Sequence, residues 1–132
     1  MTVRVTGLDH VVLRVQDVER SLAFYQGVLG LAGVHVEEWR RGEFFFPSVR
    51  VNADVILDVL EAPAERPSAR GAENVDHFCL VVEPTDWHAV VAEGTFDVVD
   101  GPDTRSGARG DGESLYVRDP DGNVVELRYY PS

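Results

Sequence analysis

The chain is poor in sulfur. One cysteine, Cys79, stands among 132 residues. That excludes an internal disulfide and any zinc site built from several thiolates. No apolar run is long enough to span a bilayer, and Met1-Thr2-Val3-Arg4-Val5 lacks the pattern of a secretory leader. A cytoplasmic protein is the expectation. Positive charge is scarce too: 12 basic residues stand against 23 acidic ones, a formal charge of -11 at pH 7. Nucleic acid and anionic membranes both call for a basic face, so neither is expected as a partner. A phosphate loop is also missing. The stretch Ser106-Gly107-Ala108-Arg109-Gly110-Asp111-Gly112 is glycine-rich, but it has no Gly-Lys-Ser/Thr ending. What remains is an ordinary globular composition, long enough for one domain with a real core.

The pattern along the chain predicts alternating strands and helices. Gly7 to Val15 reads as a strand. Asp17 is a good N-cap for a helix over Val18 to Leu29, where Val18, Leu22, Tyr25 and Leu29 recur at three- and four-residue steps. Gly30 suits its end. Val34 to Trp39, Glu43 to Phe46 with Ser48 to Val51 beyond Pro47, and Asp54 to Leu60 read as strands. The first half is therefore β-α-β-β-β. Residues 62–73 read as a linker, rich in Pro, Ala, Glu and Arg with no apolar period. Asn74 to Val82 is again a strand. Thr85 or Asp86 caps a short helix from Trp87 to Glu93, which Gly94 ends. Phe96 to Val99 reads as a strand, and Gly101 to Glu113 as a loop carrying four glycines. Ser114 to Arg118 and Val124 to Tyr130 are the last two strands, joined by the turn Asp119-Pro120-Asp121-Gly122-Asn123.

The chain repeats itself. Leu8-Asp9-His10-Val11-Val12-Leu13 matches Val75-Asp76-His77-Phe78-Cys79-Leu80, with the two histidines 67 positions apart. Ile56-Leu57-Asp58-Val59 matches Val124-Val125-Glu126-Leu127, with the two acids 68 apart. A duplicated βαβββ unit accounts for two anchors at nearly one offset, and neither copy is large enough to bury both faces of its sheet alone. A lone strand Glu normally faces solvent, and a lone strand His is normally a packed or surface residue. At matched repeat positions they become an inventory of metal ligands. Two imidazoles and a carboxylate form a triad that leaves coordination positions open. His10, His77, Glu126 and Asp58 are the candidate ligands, for one divalent ion among Ni, Zn, Co, Mn and Fe. Strand parity adds neighbours. Arg14 shares a face with His10, and Arg128 shares one with Glu126. Either guanidinium could hold a substrate carboxylate or phosphate, and Tyr116 joins them as a substrate-binding candidate. Cys79 reads as a small packed hydrophobe, because no base is placed beside it. His35 and His88 have no repeat partners.

These residues resemble the vicinal oxygen chelate superfamily, which embraces glyoxalases, bleomycin-resistance proteins and dioxygenases. The carriers are Leu8-Asp9-His10-Val11, Ser21-Leu22-Ala23-Phe24-Tyr25 leading to Leu29-Gly30-Leu31, Val75-Asp76-His77, and the run from Tyr116 to Leu127. The resemblance implies an α+β fold: two tandem βαβββ modules, about 5–61 and 74–131, form a curved mixed sheet around a metal in a single domain over 1–132. It places the family's ligands on His10, His77 and Glu126, and it implies a homodimer. In lyase and isomerase members a further Glu or Gln ligand falls where this chain has Asp58, one methylene shorter. Asp58 could therefore bind the metal, act as a base through water, or bond to a neighbour. The loop around Ser106 to Gly112 would border the active site as a lid.

The chemistry expected of such a site is chelation of two adjacent oxygens of a small substrate. A proton then leaves the carbon next to a carbonyl, and an enediolate-like intermediate follows, with Glu126 or Asp58 moving the proton. That is a lyase or isomerase of the glyoxalase type. An Fe(II)-dependent extradiol-type dioxygenase is the first alternative, although its members usually carry more than two modules. A protein that sequesters a drug or metabolite without turning it over is the second.

Overall fold

The computed structural model describes residues 3–62, 75–118 and 124–131. The turn at Asp119 to Asn123 and nearly all of the linker lie outside the described residues. The fold is α+β, and the described residues form short helices and eight strands of a mixed sheet. The chain divides into two compact units, Val11–Asp76 and Met1–His10 with His77–Ser132. Strand β1 (Val5–Val15) contributes to both.

The middle unit, Val11–Asp76, contains α1 (Val18–Leu22), β2 (Ala32–Val34), α2 (Val36–Arg40), β3 (Ser48–Arg50) and β4 (Ile56–Glu61). Its strand order is β2-β3-β4-β1. Asp17 caps α1 as its position predicts, accepting from the Arg20 amide at 3.1 Å. The helix then loosens. From Ala23 to Val28 it is π-helical, and the Leu29 amide reaches back five residues to the Phe24 carbonyl at 3.0 Å. Val18, Leu22, Val36, Val49 and Val59 form the core of this unit.

One stretch here departs from its pattern. Val36 to Arg40 is a helix, where β-branched residues and an aromatic predict a strand. His35 turns the chain into it with φ of 57°. Glu37 and Glu38 occupy the first turn and Arg40 the last, the order a helix dipole favours. Arg40 bonds Glu37 one turn back, at 2.7 Å, and Glu19 of α1 at 2.8 Å. Val36 and Trp39, three apart, both turn toward the core of the unit. The run Glu43 to Phe46 is likewise not a strand, and only Ser48 to Arg50 pairs.

The C-terminal unit holds β5 (Val75–Val82) from His77 onward, α3 (Trp87–Glu93), β6 (Asp97–Gly107), β7 (Gly110–Arg118) and β8 (Val124–Tyr129). Its order is β1-β5-β8-β7-β6. Asp86 caps α3 with bonds from the His88 and Ala89 amides, and Gly94 ends it at φ of 74°. β5 runs parallel to β8 with Cys79 opposite Glu126, and β7 runs antiparallel to β8 with Tyr116 opposite Glu126. Period-two alternation then sorts the sheet. Leu115, Val117 and Leu127 point to one face, where they meet Val82, Trp87 and Val90 in a core. His77, Cys79, Ser114, Tyr116, Glu126 and Arg128 belong to the other face.

The stretch from Gly101 to Glu113 corrects its reading as a loop. It is most of a long hairpin, in which Gly107 pairs with Gly110 across a two-residue tip. Its glycines sit within strands, a position that marks close approach of another group to the backbone.

Candidate metal centre

Glu126 is the centre of the polar face. It occupies the interior strand β8, is 1% exposed, and carries a charge where a side chain is expensive to bury. Its two oxygens are used differently. Oε1 lies 3.1 Å from Nε2 of His10 and 3.0 Å from Nε2 of His77. Oε2 accepts from the Ser114 hydroxyl at 2.8 Å and from Nη2 of Arg128 at 2.6 Å. The three donor atoms of His10, His77 and Glu126 lie within 4.8 Å of one another. The imidazoles meet edge to face, with ring centres 5.5 Å apart.

These residues fit a divalent ion. Two ligands at right angles, each about 2.1 Å from an ion, stand about 3.0 Å apart, and both carboxylate–imidazole separations match that. The donor set is also chemically suitable, being two imidazoles and one carboxylate. The buried charge points the same way. Asp9 and Glu126 are two buried anions against one buried cation, Arg128, so with neutral imidazoles the cluster carries an excess negative charge that a cation would offset.

His10 is oriented by a neighbour, Asp9, that was not among the candidates legible in the sequence. Its Nδ1 lies 2.7 Å from Oδ2 of Asp9. An ionised carboxylate only accepts, so Nδ1 carries a proton; Nε2, which can donate to Glu126, would turn its lone pair to a bound ion. Asp9 is fully buried. It accepts in turn from the Ala108 amide at 3.0 Å and from the Tyr130 hydroxyl. The one sequence signal for Asp9 was the repeated Asp-His dipeptide. Even that is ambiguous, because its counterpart Asp76 is bonded instead to Nε of Arg14 at 2.7 Å. Ser114 and Tyr130 had no signal beyond strand parity.

The electrostatics follow from this packing. Burial by itself would raise the Glu126 carboxyl. The hydrogen bonds from His10 and His77 and the charge of Arg128 outweigh it, holding the group well below the ordinary carboxylate range. Asp9 is held low in the same way: burial opposes, and bonds from His10, Tyr130 and Ala108 prevail. Tyr116 stands with its ring 5.4 Å from that of His77. Burial, and then the negative charge of Glu126, push its phenol above the usual range, so it stays protonated. The Cys79 thiol is fully buried and is pushed up to about 11, chiefly by burial.

The remaining candidates are engaged by protein groups. Arg128 is fully buried and spends both terminal nitrogens on protein oxygens. Arg14 belongs to the middle unit, about one third exposed, beside Asp76. Asp58 belongs to the middle unit as well. It is buried on β4 and accepts from the Ser48 hydroxyl at 2.5 Å. Among the described residues two groups of donors cluster, His10 with His77 and Glu126, and His10 with Asp9 and the Cys79 thiol.

Comparison with known proteins agrees with the fold. A family model described as the Glyoxalase/Bleomycin resistance protein/Dioxygenase superfamily matches residues 7–127. Virulence protein STM3117 of Salmonella typhimurium is 31% identical over 125 residues, covering 93% of this chain and 83% of that protein. The glyoxalase domain-containing protein RDO1 of Mycosarcoma maydis is 33% identical over 128 residues, covering 96% and 69%. Among solved structures, a methylmalonyl-CoA epimerase from Streptomyces coelicolor superposes with a TM-score of 0.68 at 20% identity, covering 97% of this chain and 99% of that one. A Mn(II)-bound glyoxalase from Novosphingobium aromaticivorans gives 0.65 at 21%, covering 97% and 40%. At such identities the two structures show a shared fold.

Proposed function

The chain belongs to the glyoxalase/bleomycin resistance protein/dioxygenase superfamily, and from that premise we propose that it is a metal-dependent lyase or isomerase. His10, His77 and Glu126 would hold one divalent ion. The observation that carries the reading is the convergence of their three donor atoms, with the second oxygen of Glu126 fully engaged by Ser114 and Arg128. When bound, the ion supplies Lewis acidity toward two adjacent oxygens of a small substrate. The chain contains no lysine, so no lysine side chain can form an imine with a substrate carbonyl.

The side chains divide the work. His10 and His77 offer neutral lone pairs, and Asp9 fixes the tautomer of the first. Glu126 holds charge rather than moving a proton. A carboxylate kept ionised by two imidazoles and a guanidinium is a weak base. Tyr116, protonated and beside Glu126 and His77, would donate a hydrogen bond to a substrate oxygen. Asp58 is assigned the proton transfer, with direct ligation as its other role, because the repeat pairs it with Glu126. Arg14 remains a candidate for a substrate anion. We further take the protein to be a cytoplasmic homodimer. Among the described residues, no helix is long and apolar enough to cross a membrane.

The donor set of two His and one carboxylate also suits a second reading, the Fe(II) dioxygenase. The experiment separates the two. Dicarbonyl–thiol adducts and acyl thioesters are incubated in D2O with the metal-loaded protein and followed by NMR. Metal-dependent deuterium uptake at the carbon next to the carbonyl, lost in Asp58→Ala, is the expected result. Oxygen consumption with catechols, retained in Asp58→Ala, would replace the lyase reading by the dioxygenase.

A further inference from the structure

Arg128 was expected to face a substrate. Instead it lies fully buried behind Glu126, and its nitrogens connect the metal centre to the tip of the β6–β7 hairpin. Nη2 bonds Glu126 at 2.6 Å and the Ser106 carbonyl at 2.9 Å. Nη1 bonds the Arg105 carbonyl at 3.2 Å, the Gly110 carbonyl at 3.5 Å and the Tyr130 hydroxyl oxygen at 3.3 Å. Tyr130 accepts the Arg109 amide at 3.2 Å and donates to Asp9. Asp9 accepts the Ala108 amide and holds His10. Residues 105 to 110 therefore rest on two side chains, Arg128 and Asp9, that each hold a candidate metal ligand.

The hairpin glycines fit this arrangement. A Cβ at Gly107 would stand 2.0 Å from Nη1 of Arg128, 2.6 Å from its Cζ and 2.7 Å from Oδ2 of Asp9. These are groups packed on all sides, so neither can swing clear cheaply. The backbone at Gly107 is not left-handed, so alanine there brings no backbone strain. Only side-chain room makes glycine necessary. A Cβ at Gly112 would also crowd Arg128, at 3.2 Å from its Cδ.

We propose that Asp9, Arg128 and Tyr130 are positioning residues for the metal ligands, and that Gly107 is glycine so that the Arg128 guanidinium can pass the hairpin and fix Glu126. Arg128 and Ser114 take one carboxylate oxygen and leave the other for the ion. Asp9 fixes the ring of His10. The glycine-rich stretch is thus part of the support of the centre. The inference rests on His10, His77 and Glu126 being the metal site.

The test titrates metal-stripped protein with Zn(II) and with Mn(II) by calorimetry, alongside its thermal midpoint. Gly107→Ala and Arg128→Lys should each weaken binding about 10- to 100-fold, the usual effect of losing a residue that orients a ligand. Tyr130→Phe should weaken it less. Val90→Ala, in the core on the opposite face of the same unit, should lower the midpoint and leave affinity unchanged. If the alanine methyl acts through Arg128, Gly107→Ala should cost less in an Arg128→Lys background than alone. Affinity within twofold of wild type in both Gly107→Ala and Tyr130→Phe would overturn the proposal. So would an equal loss in Val90→Ala, which would mean that any destabilisation suffices. Should Gly107→Ala fail to fold, Tyr130→Phe decides alone. A wild-type protein that binds neither ion would sink the functional reading, and with it this one.

Discussion

Each oxygen of Glu126 has its own partners, and the acid sensitivity of the protein follows from them. The group is held ionised in the folded chain and returns to its ordinary value of 4.5 on unfolding. A carboxyl depressed by folding contributes stability that is complete above the unfolded value and is lost as pH falls below it. Wild type should therefore lose stability steeply below about pH 4.5. Glu126→Gln keeps the shape but leaves the Arg128 charge buried without its closest partner. It should be less stable at pH 7, by roughly 3–5 kcal/mol, and the gap to wild type should narrow as acid is added. Denaturant titrations at several pH values check this; a gap that stays constant down to about pH 3 would contradict it. Cys79 supplies a second expectation at this scale. Its thiol is fully buried and pushed up to about 11. It should resist thiol reagents at pH 8 in the folded protein and react on unfolding; rapid labelling of the native state would contradict its burial.

At the scale of elements, the signals that were legible are local ones. Asp17 and Asp86 cap α1 and α3 where a side-chain acceptor was expected, and Gly30 and Gly94 take positive φ where helices were expected to end. α3 depends on its cap, because it is only seven residues long. Asp86→Ala should cost about 1 kcal/mol in urea unfolding; no change would mean that Trp87 and Val90 hold the helix unaided. The elements that were not legible depend on contacts far along the chain. Val36 to Arg40 has β-forming residues, and its helix is supported by Arg40 bridging to Glu19. The hairpin was hidden by its own glycines. Their density reads as a loop until Arg128 is seen to occupy the space that side chains would fill. The same holds for the site. The internal repeat marks His10, His77 and Glu126. No repeat marks Tyr130, which reaches Asp9 across 121 positions, or Ser114.

For the whole molecule, the α+β sheet was legible because two anchors recur at nearly one offset, and the superfamily because the strand and turn motifs resemble it. The net charge of -11 makes nucleic acid and anionic membranes unexpected partners but says nothing of a substrate, and the fold hosts several reactions. What the molecule does as a whole therefore turns on whether the three donors hold an ion. The most direct measurement is the metal content of untagged protein by elemental mass spectrometry, wild type beside His77→Ala. One equivalent of a divalent metal in wild type, lost from His77→Ala while that variant stays folded by circular dichroism, is the predicted result. A wild-type protein that holds no metal after incubation with any of Ni, Zn, Co, Mn or Fe(II), or a His77→Ala variant that keeps its full equivalent, would contradict the account.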